Sequence, residues 1–424
     1  MHQTKRAVQK RVLKKVFEIG THYRTSVLYR HTGAEGRMSQ KARFKETGKG
    51  SFYGEYLYRK VIERYPNHFL VAVNKLFDWE SYSDKLLVLY QGKGKEGRPP
   101  YDPALIFKLL FISYLYNVSE REVERLADQN LLVKGFLGLA VDEAPPDHST
   151  LTTFKERTLN ELGSEILKDI FDGMLKEAME HGLQLGSIQV LDSVHTQANV
   201  NNIKDRERQE KGQEPRDPDA KVVNKGKRSV VTAEGKPEEK EIRYRGFKTH
   251  TSTNAETLIV TSIIPARGDT ADNKAFVALR KHDRELGLPV TTYSGDRAYD
   301  DTNIYTYLEE EGLSSGITLH DYRTKKKNEN KEPWLTMKAS EAYKEANGVR
   351  YRVEIPYGWG KAWHGFERCR YLGLARYAIQ STLTFMVGNV KRFVKLLTGI
   401  TFRAQAKGRR AEVFKPVYAV MPWA

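Results

Sequence analysis

The chain has 424 residues, enough for two or three domains, and its 70 Lys and Arg against 54 Asp and Glu leave a net charge of +16, which favours a polyanionic partner. The longest apolar stretch, residues 104–116, is interrupted by Lys108 and is too short to span a bilayer, so we expect no membrane partner. One cysteine, Cys369, excludes an intrachain disulfide and, without a secretory signal, favours a cytoplasmic protein.

Positive charge is concentrated at the two ends of the chain. Residues 1–50 hold 13 Lys and Arg against 3 Glu, and residues 361–424 hold 12 against 2. We expect residues 1–82 to form a basic, partly disordered N-terminal arm and residues 401–424 a basic C-terminal tail. Basic ends around a balanced centre are typical of a protein that binds nucleic acid while its centre performs chemistry.

Residues 83–165 predict a small all-α domain. A first helix has apolar residues at helical spacing, namely Leu105, Leu109, Ile112 and Tyr116. Ser119 precedes Glu122 at the spacing of a capping box, which opens a second helix, and a third helix follows Ser149. Three short helices with tight turns fit a helix-turn-helix-like DNA-binding domain, and a plain helical bundle is the alternative.

The periodicity changes near residue 186, where an α/β domain begins. "GSIQVLDSVHT" predicts a strand, two further strands form a hairpin over 241–267, and "VTTYSGDRAYD" contains a fourth strand between helical segments. Three strands followed by alternating helices and strands predict a mixed sheet flanked by helices, in the order of an RNase H-like fold, over residues 186–400. A long amphipathic helix over roughly 366–397 packs on this sheet.

Two charged segments interrupt the α/β domain. Residues 204–241 and 321–345 contain few large apolar side chains and therefore bury little surface. We expect residues 204–241 to form a mobile polar insertion and residues 321–345 to form a second polar, basic insertion.

Two aspartates follow strands that the RNase H-like order makes neighbours. Asp192 ends the first strand, and Asp296 follows the fourth strand through Gly295. Either residue alone has an alternative role in a turn or cap, but two adjacent carboxylates repel, and a divalent cation removes that repulsion. Oxygen ligands favour Mg²⁺ or Mn²⁺, and two such ions about 4 Å apart catalyse phosphodiester chemistry.

Glu354 is the third candidate acid, within "VRYRVEIPYGWGKAWHG". Arg350 and Lys361 flank it and are candidates for holding DNA phosphates, although a stray ion pair on a loop is the alternative. Trp359 and Trp363 are candidates for stacking on a splayed base, with hydrophobic packing as the alternative.

Several neighbouring residues have less specific signals. Pro356 and Gly358 predict that no continuous helix joins Glu354 to Lys361, so that Glu354 lies on a turn. His195 is either a proton carrier or a structural hydrogen-bonding group. Three further aspartates are interpreted as helix caps, namely Asp272, Asp300 and Asp301.

The motifs "VLDSVHTQAN", "YSGDRAYD" and "RYRVEIPYGWGKAWHGFERCRYLGLARYAIQ" resemble, in order, the three motifs of bacterial insertion-sequence transposases of the DDE class. The similarity is to the branch with a Tyr-Arg-Glu-Lys signature, and residues 83–165 are similar to the helical domain of the same proteins. The resemblance implies that Asp192, Asp296 and Glu354 form the catalytic, metal-binding triad. Arg350 and Lys361 take the signature's basic positions, whereas Asn347 stands where the signature has tyrosine.

The resemblance also implies a function. We expect a DNA transposase that binds the terminal inverted repeats of its element and uses two divalent cations, Mg²⁺ or Mn²⁺, for cleavage and strand transfer. Its partners would be double-stranded transposon ends and target DNA, held by a homodimer at the bacterial nucleoid. A metal-dependent nuclease of the same fold and a catalytically inactive, captured transposase that only binds DNA are the alternatives.

Overall fold

The computed structural model describes residues 44–90, 99–231 and 237–402. The described residues up to Thr158, together with Asp169–Gln184 and Val390–Phe402, form one compact unit, and Leu159–Lys168 and Leu185–Asn389 form a second. No helix within these described ranges is long and apolar enough to cross a membrane.

The first unit is helical. Its helices are α1 (Phe52–Arg64), α2 (Phe69–Leu76), α3 (Trp79–Leu86), α4 (Pro103–Tyr116), α5 (Glu120–Gln129), α6 (Leu131–Leu137), α7 (His148–Arg157) and α8 (Glu161–Glu180). Only the part of α8 from Asp169 onwards belongs to this unit.

Local signals in the sequence set the bounds of α4 and α5. The side chain of Asp102 accepts a hydrogen bond from the backbone N–H of Ala104 (2.7 Å), and Pro103 occupies the first turn of α4, where its missing N–H is not needed. Ser119 and Glu122 form the expected reciprocal capping box at α5. The helices predicted after residue 103, after Ser119 and near Ser149 are therefore confirmed.

Helices α1 to α3 occupy part of the segment for which we expected a disordered basic arm. Residues 52–82 of the predicted arm are instead largely helical, because the helical apolar pattern of "FLVAVNKL" buries Phe69, Leu70 and Val73. Residues 1–43 of the predicted arm and residues 403–424 of the predicted tail lie outside the described residues.

The second unit is built on a mixed sheet. Its strands are β1 (Ile188–Gln197), β2 (Lys221–Val231), β3 (Pro237–Asn254), β4 (Val260–Arg267), β5 (Thr292–Gly295) and β6 (Ser314–Ile317). The strand order is β2-β3-β1-β5-β6, with β4 also paired to β3. Strand β1 is antiparallel to β3 and parallel to β5, and β6 is parallel to β5. The path β4-β3-β1-β5-β6 gives the unit the predicted RNase H-like fold.

The helices of the second unit pack on both faces of this sheet. They comprise α9 (Asn202–Glu210), α10 (Phe276–Glu285), α11 (Thr302–Glu310), α12 (Asp321–Thr324), α13 (Glu332–Ala339), α14 (Glu341–Gly348), α15 (Glu354–His364) and most of α16 (Leu374–Thr398). On one face, the hydroxyl of Thr249 in β3 contacts Tyr377 and Ser381 of α16, both at 2.8 Å. On the other face, the buried carboxylate of Asp283 in α10 accepts hydrogen bonds from Ser252, Thr261 and Tyr293.

The predicted polar insertions are ordered elements in the described parts of the chain. The prediction for residues 204–241 is wrong, because β2 and the start of β3 pair with each other there, from Lys221–Gly246 to Val231–Pro237. A two-stranded ribbon satisfies its backbone hydrogen bonds through the pairing and needs little apolar surface of its own. Residues 321–345, the second predicted insertion, contain three short helices, α12, α13 and the start of α14.

The long C-terminal helix begins at Leu374, eight residues later than predicted, because residues 367–369 are extended and bridge to Gln197 at the end of β1. The backbone N–H of Gln197 donates to the carbonyl of Glu367 (3.0 Å), and that of Cys369 donates to the carbonyl of Gln197 (2.7 Å). The side chains of Asp217 and Asp219 accept the backbone N–H groups of Gly373 and Leu374, both at 3.0 Å. These carboxylates cap the positive end of α16.

Candidate active site

Asp192 and Asp296 lie at the point where two parallel strands stop pairing. The ladder between β1 and β5 ends with Leu191 opposite Gly295, and Asp296 directly follows β5. The structure therefore confirms that these strands are neighbours. The prediction that Asp192 ends the first strand is wrong, because β1 continues past it to Gln197 through its pairing with β3. Asp192 accepts the backbone N–H of Ser193 (2.7 Å), and Asp296 accepts that of Ala298 (2.9 Å), so each carboxylate is oriented by a local hydrogen bond.

The electrostatic surroundings of Asp192 disfavour its ionised form. The pKa of the Asp192 carboxyl is raised to about 7, first of all by burial. The negative charges of Asp296 and Asp272 also raise this pKa, whereas the Ser193 N–H hydrogen bond and the positive charge of Arg350 lower it. Residues from four separate segments thus share one charged environment around Asp192.

Glu354 is the first residue of α15, which continues without a break to His364. The prediction that Pro356 and Gly358 interrupt a helix between Glu354 and Lys361 is wrong. Pro356 is the third residue of α15, and the first backbone N–H groups of a helix have no partner within it, so the proline removes no hydrogen bond.

Helix α15 contacts β3, the strand that pairs with β1 at Asp192. The hydroxyl of Tyr357 lies 2.6 Å from that of Thr251, and Thr251 is the β3 residue paired with Asp192. The charge of Asp192 acts on Tyr357, whose pKa is raised well above its usual value, first by burial and then by that charge. Glu354 lies about one helical turn before Tyr357, and Lys361 lies about one turn after it, so the three residues share one face of α15.

The remaining residues predicted to contact DNA lie close in the chain but face different directions. Arg350 belongs to the short 3-10 helix Arg350–Val353 and is half-buried. Helical periodicity places the half-buried Trp359 and Trp363 on roughly the opposite side of α15 from Glu354. At the position of the signature tyrosine, Asn347 donates to the carbonyl of Gly316 (3.1 Å) and the hydroxyl of Thr318 (2.9 Å), which ties α14 to the end of β6.

Asp192, Asp296 and Glu354 offer only carboxylate oxygens, the ligands that hard divalent cations prefer, and Asp192 and Asp296 are adjacent. Among the described residues, these three are not gathered within 4.8 Å of one another, whereas Glu124, Asp147 and His148 in the helical unit are. One oxygen of Glu124 accepts both the backbone N–H and Nδ1 of His148 (both 2.9 Å), so this second group is explained by hydrogen bonding at the start of α7.

Asp272 belongs to the environment of Asp192, although its sequence context predicted a helix cap. That interpretation is wrong, because its Oδ1 lies 3.0 Å from Nζ of Lys248 and 3.2 Å from Nδ1 of the fully buried His250. Burial raises the pKa of Asp272, but the hydrogen bonds of His250 and Lys248 and the charge of Lys248 outweigh this effect and hold the pKa well below its usual value. No local signal in the sequence distinguished Asp272 from a helix cap, because its partners Lys248 and His250 lie on the distant strand β3.

The other two predicted caps have different outcomes. The side chain of Asp301 accepts the backbone N–H of Asn303 (2.9 Å) and caps α11 as predicted. The prediction is wrong for Asp300, which forms a buried ion pair with Arg323 and accepts the backbone N–H of His320. His195 lies in β1 opposite Lys248, and its predicted roles remain predictions.

Two families match this chain. Residues 59–157 match the family described as "Transposase domain (DUF772)", and residues 210–390 match "Transposase DDE domain", a range that includes Asp296 and Glu354. Together the two matches cover well over half of the chain in the expected order. The chain belongs to the insertion-sequence transposases of the DDE class.

Solved structures of transposases are similar to this chain at low identity. A piggyBac transposase synaptic complex with hairpin DNA is 10% identical over 80% of this chain and 77% of the other, with a TM-score of 0.39. A Mos1 transposase paired-end complex with the left transposon end is 13% identical over 62% of this chain and 79% of the other, with a TM-score of 0.18. A mariner Mos1 paired-end complex with Mg is 14% identical over 63% of this chain and 81% of the other, with a TM-score of 0.17. The family assignment rests on the two family matches.

Proposed function

We propose that this transposase binds the terminal inverted repeats of its own element, cleaves the DNA there and joins the freed 3′ end to target DNA. The observation that supports this proposal is the placement of Asp192 and Asp296 side by side where the pairing of β1 with β5 ends, with Tyr357 of α15 in contact with the β3 residue that pairs with Asp192. Two transposon ends must be processed together, so we propose a homodimer in the DNA complex.

We propose that Asp192, Asp296 and Glu354 hold the divalent cations, Mg²⁺ or Mn²⁺. Two such cations, when bound, activate the attacking oxygen and stabilise the leaving oxygen of the phosphodiester. The protein supplies carboxylates whose mutual repulsion and burial make the site favourable for a cation. The Ser193 and Ala298 N–H groups hold Asp192 and Asp296 in fixed orientations before any cation arrives.

We propose that Arg350 and Lys361 hold the DNA backbone beside these carboxylates. The charge of Arg350 acts on Asp192, and Lys361 shares the Glu354 face of α15, so both are suited to contact a phosphate next to the scissile bond. Trp359 and Trp363 remain candidates for stacking on a base. Their position on the other side of α15 would direct that contact away from the Glu354 face.

Glu354→Gln tests the site directly, because it keeps the size of the side chain and removes its charge. We expect cleavage and joining of labelled DNA carrying the element's ends to fall by at least about 100-fold with Mg²⁺ or Mn²⁺, while binding of the ends persists. Glu341→Gln is the matched control, because this glutamate is fully exposed on α14 and pairs only with Lys344 in the described structure; we expect it to cleave like the parent.

Other results would favour other functions. Equal cleavage by the parent and Glu354→Gln would exclude Glu354 as a ligand and direct the search to Glu367, which is exposed just after α15. Cleavage of the ends without joining of a pre-cut end would favour a metal-dependent nuclease. Salt-sensitive DNA binding that a chelator does not change, without cleavage, would favour a captured transposase that only binds DNA.

A further inference from the structure

Tyr299 is a buried tyrosine next to the proposed catalytic carboxylates. It ends the short 3-10 helix Arg297–Tyr299 that Asp296 caps, and its side chain is 0% exposed. Its ring packs against Gly295, where an added Cβ would lie 3.0 Å from Cδ2 of the ring. Since Gly295 is paired with Leu191, the ring lies where β1 leaves the ladder and Asp192 begins.

The hydroxyl of Tyr299 has no hydrogen-bond partner among the described residues. A buried hydroxyl without a partner destabilises the folded state, and phenylalanine would fill the same space without that effect. Other buried tyrosines of this unit have partners: the hydroxyl of Tyr293 donates to Asp283 (3.0 Å), and that of Tyr377 contacts Thr249 (2.8 Å). The hydroxyl of Tyr299 is therefore available to donate a hydrogen bond to a group that moves within reach when the site is occupied.

The negative charges of three carboxylates act on this hydroxyl. Burial first, and then the charges of Asp272, Asp192 and Asp296, raise the pKa of Tyr299 well above its usual value. The phenol therefore stays protonated and acts as a hydrogen-bond donor, not as a base. Asp272 already contacts Lys248 and His250. Asp192 directly follows Leu191, which pairs with the Gly295 that the ring packs against, so Asp192 is the carboxylate best placed to accept.

We propose that Tyr299 is a positioning residue of the active site, whose hydroxyl donates a hydrogen bond to the carboxylate of Asp192 when the Asp192–Asp296 site holds a divalent cation. This inference rests on the proposed function and adds a residue that the triad does not include. Carboxylates that bind metals are themselves held by hydrogen bonds, and the loss of such a hydrogen bond typically weakens metal binding or activity by about 10–100-fold.

Tyr299→Phe and its control Tyr293→Phe separate this role from a structural one. We would measure thermal unfolding of the DNA-free protein in EDTA and across a Mn²⁺ titration, and cleavage of the element's ends over the same Mn²⁺ range. For Tyr299→Phe we expect an unfolding midpoint in EDTA no lower than that of the parent. The Mn²⁺ concentration needed for stabilisation and for cleavage should rise by about 10–100-fold. For Tyr293→Phe we expect a lower midpoint, because Asp283 loses a donor, and an unchanged Mn²⁺ dependence.

Two results would overturn the inference. If Tyr299→Phe responds to Mn²⁺ as the parent does, the hydroxyl does not support Asp192. If it lowers the midpoint in EDTA as much as Tyr293→Phe does, the hydroxyl has a structural hydrogen bond in the bare protein. A parent that is stabilised by Mn²⁺ but does not cleave DNA would contradict the proposed function, and the Mn²⁺ titration of stability would still decide the role of Tyr299.

Discussion

Asp192 combines two properties that oppose each other in the absence of a cation. It is oriented by the Ser193 N–H hydrogen bond, yet its burial and the nearby charges of Asp296 and Asp272 disfavour ionisation and raise its pKa to about 7. A site of this kind favours whatever supplies positive charge, either a proton or a cation. At the residue scale, the same carboxylate therefore links proton binding, stability and metal binding.

The stability of the cation-free protein should depend on pH through Asp192. Its folded-state pKa of about 7 lies above the value of 3.8 for an unperturbed aspartate, so its contribution is complete below about pH 4 and is lost as pH rises to 7. The difference corresponds to roughly 4 kcal/mol of unfolding free energy. We expect urea unfolding in EDTA to show this decline for the parent and a much smaller decline for Asp192→Asn.

The parent and Asp192→Asn can also be compared in the presence of Mn²⁺. Added Mn²⁺ binds the ionised carboxylate, so it should stabilise the parent more at pH 7 than at pH 5 and should stabilise Asp192→Asn little at either pH. Parallel pH profiles for the two proteins in EDTA would contradict the raised pKa of Asp192.

At the scale of elements, the segment just before β2 holds the start of the long helix α16. Asp217 is 1% exposed, and its carboxylate accepts the backbone N–H groups of Gly373 (3.0 Å) and Ala220 (3.3 Å). Asp219 caps Leu374 but is more exposed and also lies 3.7 Å from Arg267. Carboxylates at a helix N-terminus satisfy donors that lack partners and interact favourably with the helix dipole.

Asp217→Ala should destabilise the protein more than Asp219→Ala does. The first substitution leaves the N–H groups of the buried Ala220 and the half-buried Gly373 without this acceptor, so we expect it to lower the unfolding free energy by about 2–3 kcal/mol. The second affects an exposed cap and should cost about 0.5–1 kcal/mol. Chemical denaturation of both variants with the parent measures the difference, and equal losses would show that burial of Asp217 is irrelevant to the cap.

The sequence predicted elements whose signals are local, and it missed those that depend on distant partners. Strand β1 and the helices α4 and α5 have apolar periodicity and caps within a few residues, and they were predicted correctly. The ribbon of β2 and β3 has no apolar periodicity, because its stability comes from pairing between the two strands. Proline at the third residue of α15 suggested a break, but the first turn of a helix tolerates it.

The same distinction applies to the candidate site. Asp296 directly follows β5, and Asp192 follows the apolar residues of β1 that pair with β5, so the proximity of the two aspartates could be predicted from parallel pairing. The continuation of β1 beyond Asp192 could not, because it depends on pairing with the distant strand β3. Asp272 and Tyr299 could not be predicted as neighbours of Asp192, because they lie far from it in the sequence and nothing local distinguishes them from cap and core residues. Their contribution depends on how β4, β5 and the following 3-10 helices converge.

At the scale of the whole molecule, the net charge of +16 should dominate binding to DNA of any sequence. Lys361, on the Glu354 face of α15, is the proposed phosphate contact that we would remove to measure the contribution of a single residue to DNA binding. We expect Lys361→Ala to weaken binding to transposon ends and to unrelated duplex alike. It should also reduce the steepness of log K against log salt by about 0.9, the value for one phosphate contact.

The matched control for this measurement is Lys344→Ala. Lys344 is exposed on α14, where it pairs with Glu341, and we expect its removal to leave the salt dependence unchanged. An equal change in both variants would show that the effect reflects overall charge instead of a contact at Lys361.

The long helix α16 contributes to both compact units, and this has a consequence for the newly made chain. In the helical unit, its residue Phe393 lies against Phe77, with ring centroids 6.3 Å apart. In the α/β unit, Asn389 of the same helix holds the backbone of Val260 through two hydrogen bonds (3.0 and 2.7 Å). A chain truncated before α16 therefore lacks part of the core of both units, so neither unit is complete. The apolar surface left exposed on such a fragment is what leads to aggregation and to capture by chaperones.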